Sequence, residues 1–279
     1  MEFILAPLRY EFFQRGILAA ILVGSLCGVI GVFIVLRGMS YIGHGLSHAV
    51  FGGAVVSYLM NFNFYVGAGV WGVVSALLIG RMTKIRKIGA DAAIGIITTS
   101  SFAIGVALIS RVRRFTRNLE AALFGSLLGV RVEDLYVIGG VLVISFITIS
   151  FLYKELLFTT FDKDTAEVFG IKTERVDTFF SLILAATIIA SMQVIGVTLI
   201  AAVIVMPAIT ARLLTDSFHK MIFLSFLLGT ITSVIGMYAS YYLNAASGAT
   251  IVLVGALIFG MVMGVTEIRK RRPRFLPIP

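Results

Sequence analysis

The sequence has almost no thiol and very little charge. A single cysteine, Cys27, stands in 279 residues. This excludes a disulfide framework, a thiolate metal cluster and a CxxC redox pair. Cys27 lies inside an apolar run, where cysteine acts as a small packing residue. Only 13% of the residues are charged and 59% are hydrophobic, whereas a soluble domain carries roughly 25% and 45–50%. With a mean hydropathy of +1.02, the chain is not a soluble globular protein, a disordered chain or a fibre.

Several chemical motifs are also missing. No HExxH occurs: Gly45 stands where a zincin would place its glutamate. No GxSxG elbow is present for a serine hydrolase. The phosphate-binding pattern GxxxxGK[ST] is absent, so any uphill transport draws its energy from a separate ATPase or an ion gradient. Carboxylates are nearly absent from the apolar runs, with Asp91 and Glu120 at run ends. Gradient-driven carriers usually have intramembrane carboxylates, so this counts against one.

What is present is a series of nine apolar segments, at about 16–36, 42–60, 65–80, 92–110, 135–153, 176–194, 196–214, 219–243 and 248–266. A membrane-crossing helix needs roughly 20 apolar residues. No strand-length alternation suggests a barrel. The expectation is an all-α polytopic membrane protein of about 8–9 transmembrane helices, with 1–279 as a single transmembrane domain. The first run is longer than a signal-peptide core and reads as a retained membrane helix. The segments at 65–80 and 196–214 are interrupted by Gly or Pro and could enter the membrane without crossing it. Gly24 and Gly28 form a GxxxG on the first run, read as helix packing within one subunit.

The 23 Lys and Arg residues against 14 Asp and Glu give a net charge of +9. These charges cluster between apolar runs, as in loops held against anionic lipid. No exposed aromatics on a polar background accompany them, so nucleic acid is not an expected partner. Nine alternating spans with the C-terminus inside place 16 of the 23 basic residues inside and seven outside. Four of those seven, Arg111, Arg113, Arg114 and Arg117, form an outer cluster, read as a docking surface or an interfacial helix. The stretch 118–133 is too short to span and reads as an outer interfacial or re-entrant helix.

Two stretches carry the chemistry. His44 and His48 are two of only three histidines and lie four apart in MSYIGHGLSHAVFGG. At that spacing they share a helix face, with Ser40 one turn back on the same face and Ser47 beside it. Two imidazoles can supply half of a tetrahedral site for a divalent transition metal. Packing as neutral histidines in a bundle is the structural alternative. The second stretch is the loop FTTFDKDTAEVFGIKTERVD. Its middle, Asp164 to Gly170, suits a short amphipathic helix that Gly170 ends in a left-handed conformation. Such a helix under the membrane can insert into a groove on a partner.

Five stretches in order resemble the permease subunit of zinc- and manganese-type ABC importers, over roughly residues 16–266. They are GVFIVLRGMSYIGHGLSHAVFGG, DAAIGIITTSSFAIGVALIS, LEAALFGSLLGVRVEDL, the run from DKDTAEVFGI through QVIGVTLIAAVIVMPAITARLL, and SYYLNAASGATIVLVGALIF. The resemblance implies the metal ABC importer permease fold in the cytoplasmic (inner) membrane, with membrane lipid around it. It implies a second permease copy, a separate ATPase subunit that hydrolyses ATP, and an extracytoplasmic metal-binding protein. The permease itself would be no enzyme and hold no covalent cofactor, the divalent zinc or manganese being cargo. His48 aligns with the family's pathway histidine. The position of His44 is commonly aspartate in that family, so imidazole there shifts the ligand set toward nitrogen and toward zinc. The loop at about 160–175, with Asp164, Ala166, Glu167 and Gly170, would couple to the ATPase. A permease for a metal chelate of siderophore or cobalamin type is the related alternative, with a longer chain and one more span. An intramembrane hydrolase is the third and lacks its constellation.

Overall fold

The structure is a computed structural model that describes residues 5–83, 89–111, 123–126 and 129–271. Among the described residues it contains eleven α-helices and no strand. They are α1 (Glu11–Leu36), α2 (Ser40–Leu59), α3 (Phe64–Met82), α4 (Ala90–Arg111), α5 (Val132–Phe151), α6 (Tyr153–Phe161), α7 (Lys163–Val168), α8 (Thr173–Ile195), α9 (Ile200–Leu214), α10 (Phe218–Leu243) and α11 (Ser247–Arg271). Each apolar segment read from the sequence holds a helix. Seven of these helices are long and apolar enough to cross a membrane. The other two are α2, diluted by Gly, Ser and His, and α9, only 15 residues long. At 1.5 Å per residue α9 reaches about 22 Å, short of a hydrocarbon core of roughly 30 Å.

The nine apolar helices run alternately between two ends of the molecule. At one end Arg37 meets Thr159, Thr160 and Asp177, and Tyr153 meets His219. At the other, Tyr10 lies near Tyr241, Tyr65 bonds to Asp134, and residues 123–126 pack on the turn after α8. This pairing matches the alternating spans expected from the sequence. Side chains such as Phe146 on α5 and Leu257 on α11 remain exposed. Apolar all-round helices with such outward faces suit a bilayer, where apolar exposure carries no penalty.

Helix α1 is the centre of the bundle, with Ile30, Phe33 and Ile34 fully buried. Its small residues let neighbours approach. A Cβ at Gly24 would lie 2.4 Å from the Gly229 carbonyl oxygen of α10, and one at Gly28 would lie 2.4 Å from that of Ser225. Ser225 Oγ also donates to the Gly28 carbonyl at 2.6 Å. The GxxxG therefore packs two helices of the same chain, as expected.

The segment 196–214 is not one helix. Helix α8 stops at Gly196, which has φ +87°, and α9 starts only at Ile200. The turn and the end of α8 are tied to other segments, the Thr198 N–H donating to the Leu123 carbonyl at 3.4 Å. Thr198 Oγ1 donates to the Leu123 carbonyl at 2.8 Å, Ser126 N–H to that of Gln193 at 3.2 Å, and Ser247 Oγ to that of Val194 at 3.0 Å. Non-helical backbone within a membrane protein needs this kind of internal partner. Of the stretch 118–133, Leu123 and Phe124 are helical and Val132 and Glu133 open α5; 118–122 and 127–128 lie outside the described residues. Arg113, Arg114 and Arg117 lie outside them too, and Arg111 ends α4 exposed.

Candidate functional site

Helix α2 positions the histidines. Its first residue, Ser40, is half-buried, and the rings of His44 and His48 stack edge to face one turn apart at 4.7 Å. His44 is exposed and lies 6.4 Å from Tyr41. His48 is half-buried against Phe102 of α4, 5.1 Å away. Its Nδ1 is buried with no hydrogen-bond partner in the described structure. A buried polar nitrogen normally finds a partner, so an orphan is a feature to be explained. Ser47 is not part of this group: it is buried and donates to the His44 carbonyl of its own helix at 2.7 Å.

Among the described residues no set of three or more His, Cys, Asp or Glu is placed to hold a metal. The chain thus brings two imidazole rings together on one helix face, with no third such group beside them among the described residues. Cys27 is a packing residue, buried with Sγ 3.9 Å from Ser191 Oγ. The third histidine, His219, pairs with the Tyr153 hydroxyl at 2.8 Å.

The loop 160–175 forms a second site at the Arg37 end. A helix unforeseen in the sequence, α6, leads into it. Asp162 caps α7: its carboxylate accepts from the Thr165 hydroxyl and, at 2.9 Å, from the Thr165 N–H. These bonds hold the Asp162 carboxyl below the usual carboxylate range. Ala166 is fully buried and Asp164 exposed, while Glu167 accepts from Thr173 Oγ1 at 2.6 Å. Gly170 sits at φ +80°, its N–H donating to the Glu167 carbonyl at 2.9 Å and the Ile171 N–H to that of Ala166 at 3.0 Å. This is a left-handed helix stop, as the sequence suggests. It turns Val168 and Phe169 outward, 87% and 74% exposed. That this pair is the presented surface emerges only from the fold. A large apolar side chain next to a glycine stop, on the most polar loop of the second half, was the available signal.

The contacts of Arg37 likewise emerge only from the fold. Its guanidinium donates to Asp177 Oδ1 at 3.0 Å, Thr160 Oγ1 at 3.0 Å and Thr159 Oγ1 at 2.8 Å, and lies 4.7 Å from the Phe180 ring centre. The signal was its isolation between two long apolar runs.

Nine apolar helices, seven of them long and apolar enough to cross a membrane, define a polytopic membrane protein. The chain belongs to the ABC 3 transport family, which residues 9–266 match. It is 41% identical over 261 residues to the manganese transport system membrane protein MntC of Listeria innocua serovar 6a, covering 93% of this chain and 92% of that protein. It is 32% identical to the chelated iron transport system membrane protein YfeC of Yersinia pestis, covering 93% and 88%. Its fold is similar to PsaBC from Streptococcus pneumoniae, solved in complex with Fab, with TM-score 0.86, 35% identity and 94% of each chain covered. The protein is accordingly a multi-pass membrane permease subunit of a metal-importing ABC transporter, and not an enzyme.

Proposed function

We propose that this permease carries free divalent transition-metal ions, manganese and zinc, past His44 and His48, and that the 160–175 loop docks the ATPase that powers the step. The observation that carries the reading is the imidazole pair, 4.7 Å apart on α2, with the buried Nδ1 of His48 unpartnered. Two adjacent nitrogens suit a bare ion, whereas a chelated metal arrives with its coordination positions filled. The name of the Listeria relative supports manganese; the second imidazole supports zinc. A second permease copy across the exposed His44 face would supply further nitrogens. An extracytoplasmic binding protein delivers the ion, and the chain binds no cofactor of its own. In the loop, Asp164, Ala166, Glu167 and Gly170 shape the short α7, and the exposed Val168 and Phe169 enter a groove on the ATPase.

The test is uptake into proteoliposomes holding permease, ATPase and binding protein, with manganese, zinc and iron in competition. His48→Ala is expected to abolish uptake while assembly and ATP hydrolysis persist. Wild-type uptake by His48→Ala at equal expression would make the pair structural.

A further inference from the structure

We propose that Arg37 is a positioning residue for transport: it ties the α6–α8 loop to the start of α2, so that a displacement of that loop moves the histidine pair. The proposal rests on reading α7 as the ATPase-docking helix.

Arg37 is the one Asp, Glu, Lys or Arg between residues 16 and 60, and its side chain is only 5% exposed. Each branch of the guanidinium has a fixed partner. Thr159 and Thr160 accept from it through hydroxyls that are themselves committed as donors, Thr159 to the Glu155 carbonyl at 2.8 Å and Thr160 to that of Leu156 at 2.5 Å. The fork is therefore anchored to the α6 backbone through one hydroxyl on each side. Asp177 of α8 accepts from Arg37 on Oδ1 and, at 2.8 Å, from Lys163 Nζ on Oδ2. Lys163 is the first residue of α7. One carboxylate thus links the docking helix to Arg37.

The link onward to α2 is short. Gly38 stands at φ +66° and the Met39 N–H donates to the Ile34 carbonyl at 2.9 Å, so α2 starts three residues after Arg37. His44 follows about one turn above Ser40. An open cavity of about 940 Å³, bordered by Arg37, Met39, Ile42, Ile79 and Asp177, lies beside the joint and leaves room for it to shift. A planar fork with several fixed donors transmits direction as well as pull, which a single flexible ammonium does not.

The experiment uses the full complex with its ATPase in nanodiscs. Tyr41→Cys, in a Cys27→Ala background that transports, reports the position of α2 by its labelling rate with and without ATP. Arg37→Ala and Arg37→Lys are expected to keep the ATPase bound and hydrolysing, to lose the ATP-dependent change in labelling, and to lower metal uptake at least tenfold. Arg37→Lys keeps the charge and serves if Arg37→Ala does not assemble. A purely structural Arg37 would lower yield while the assembled fraction kept its ATP-dependent labelling. That result, or uptake by Arg37→Lys within twofold of the parent, overturns the proposal. Phe169→Asp tests the docking reading separately: it should release the ATPase. An ATPase that stays bound to Phe169→Asp overturns the docking reading, whatever the Arg37 variants do.

Discussion

Gly170 offers the most discriminating test of the docking loop. Its φ of +80° lies in the left-handed region, and a Cβ built there has nothing within 4 Å. Any penalty for a side chain within the isolated permease is therefore conformational, not steric. The left-handed region costs an ordinary L-residue roughly 1–2 kcal/mol. For β-branched valine the strain rises to about 2–3 kcal/mol. Asparagine is enriched in that region and costs under about 1 kcal/mol. A residue that leaves the left-handed well breaks the Gly170 and Ile171 bonds to the Glu167 and Ala166 carbonyls. That unwinds the stop presenting Val168 and Phe169.

If the whole cost falls on docking, each 1.4 kcal/mol is a tenfold loss of ATPase affinity. The expected order is Gly170→Asn below about fivefold, Gly170→Ala roughly tenfold, and Gly170→Val about 30- to 140-fold. The assay is a fluorescence titration of nanodisc-held permease with the ATPase, with membrane insertion checked by yield. Equal affinities for Gly170→Val and Gly170→Asn, both near the parent, would refute the conformational argument. Equal, severe losses for both would mean that the ATPase itself fills the space beside Gly170.

Three further outcomes are expected. Gly28→Ala would place a Cβ about 1 Å closer to the Ser225 carbonyl than ordinary contact allows and disturb the Ser225 hydroxyl bond to the Gly28 carbonyl. It should destabilise the permease by about 1–3 kcal/mol, read by steric trapping in bicelles, and unchanged unfolding would count against the close packing. With 16 basic residues on the C-terminal side and seven opposite, a cysteine replacing the exposed Phe62 should react with an impermeant reagent in intact cells, in a Cys27→Ala background. One replacing the exposed Lys172 should not, and the reverse pattern overturns the orientation. Replacing His44 with aspartate introduces a harder oxygen ligand and should shift competitive uptake from zinc toward manganese; unchanged selectivity would mean that His44 is not a ligand.

Apolar composition alone placed all nine long helices, because a bilayer demands length and hydrophobicity and little else. It also set the boundary between 176–194 and 196–214, but not the partner of the turn there: the Thr198 N–H and hydroxyl donate to the Leu123 carbonyl, 75 residues away in sequence. Helix α6 was hidden for the converse reason. Tyr153–Phe161 mixes Lys, Glu and Thr with its apolar residues, so it read as loop, although Leu156 and Thr159 are buried against the bundle. The left-handed stop at Gly170 was legible because it is local: a short helix followed by glycine. Arg37 was legible as an isolated charge but not as a joint, since Asp177 and the two threonines lie more than 120 residues downstream. The histidine pair was legible from spacing. That no third ligand joins it among the described residues follows only from the fold.

Under the proposed function, that shortage of ligands bears on mechanism. A fully coordinated tetrahedral site is what a structural metal needs, and it holds the ion too long for passage. Here one chain contributes two imidazoles. One is exposed at the side of the subunit and the other is half-buried with an orphaned nitrogen. An ion held by this pair keeps open positions for water or for a facing subunit, so it can be handed on. The pair is carried on α2, which is joined at its start to Arg37 through a two-residue turn and packed along α4, where a Cβ at Gly52 would lie 2.3 Å from the Ser101 carbonyl oxygen. A small rotation of α2 would carry both rings together and change which outside groups complete the shell. On the proposed reading, weak, incomplete coordination on a helix tethered to the docking loop suits an ATP-driven importer: binding strong enough to select the ion, and a mechanical handle with which to release it.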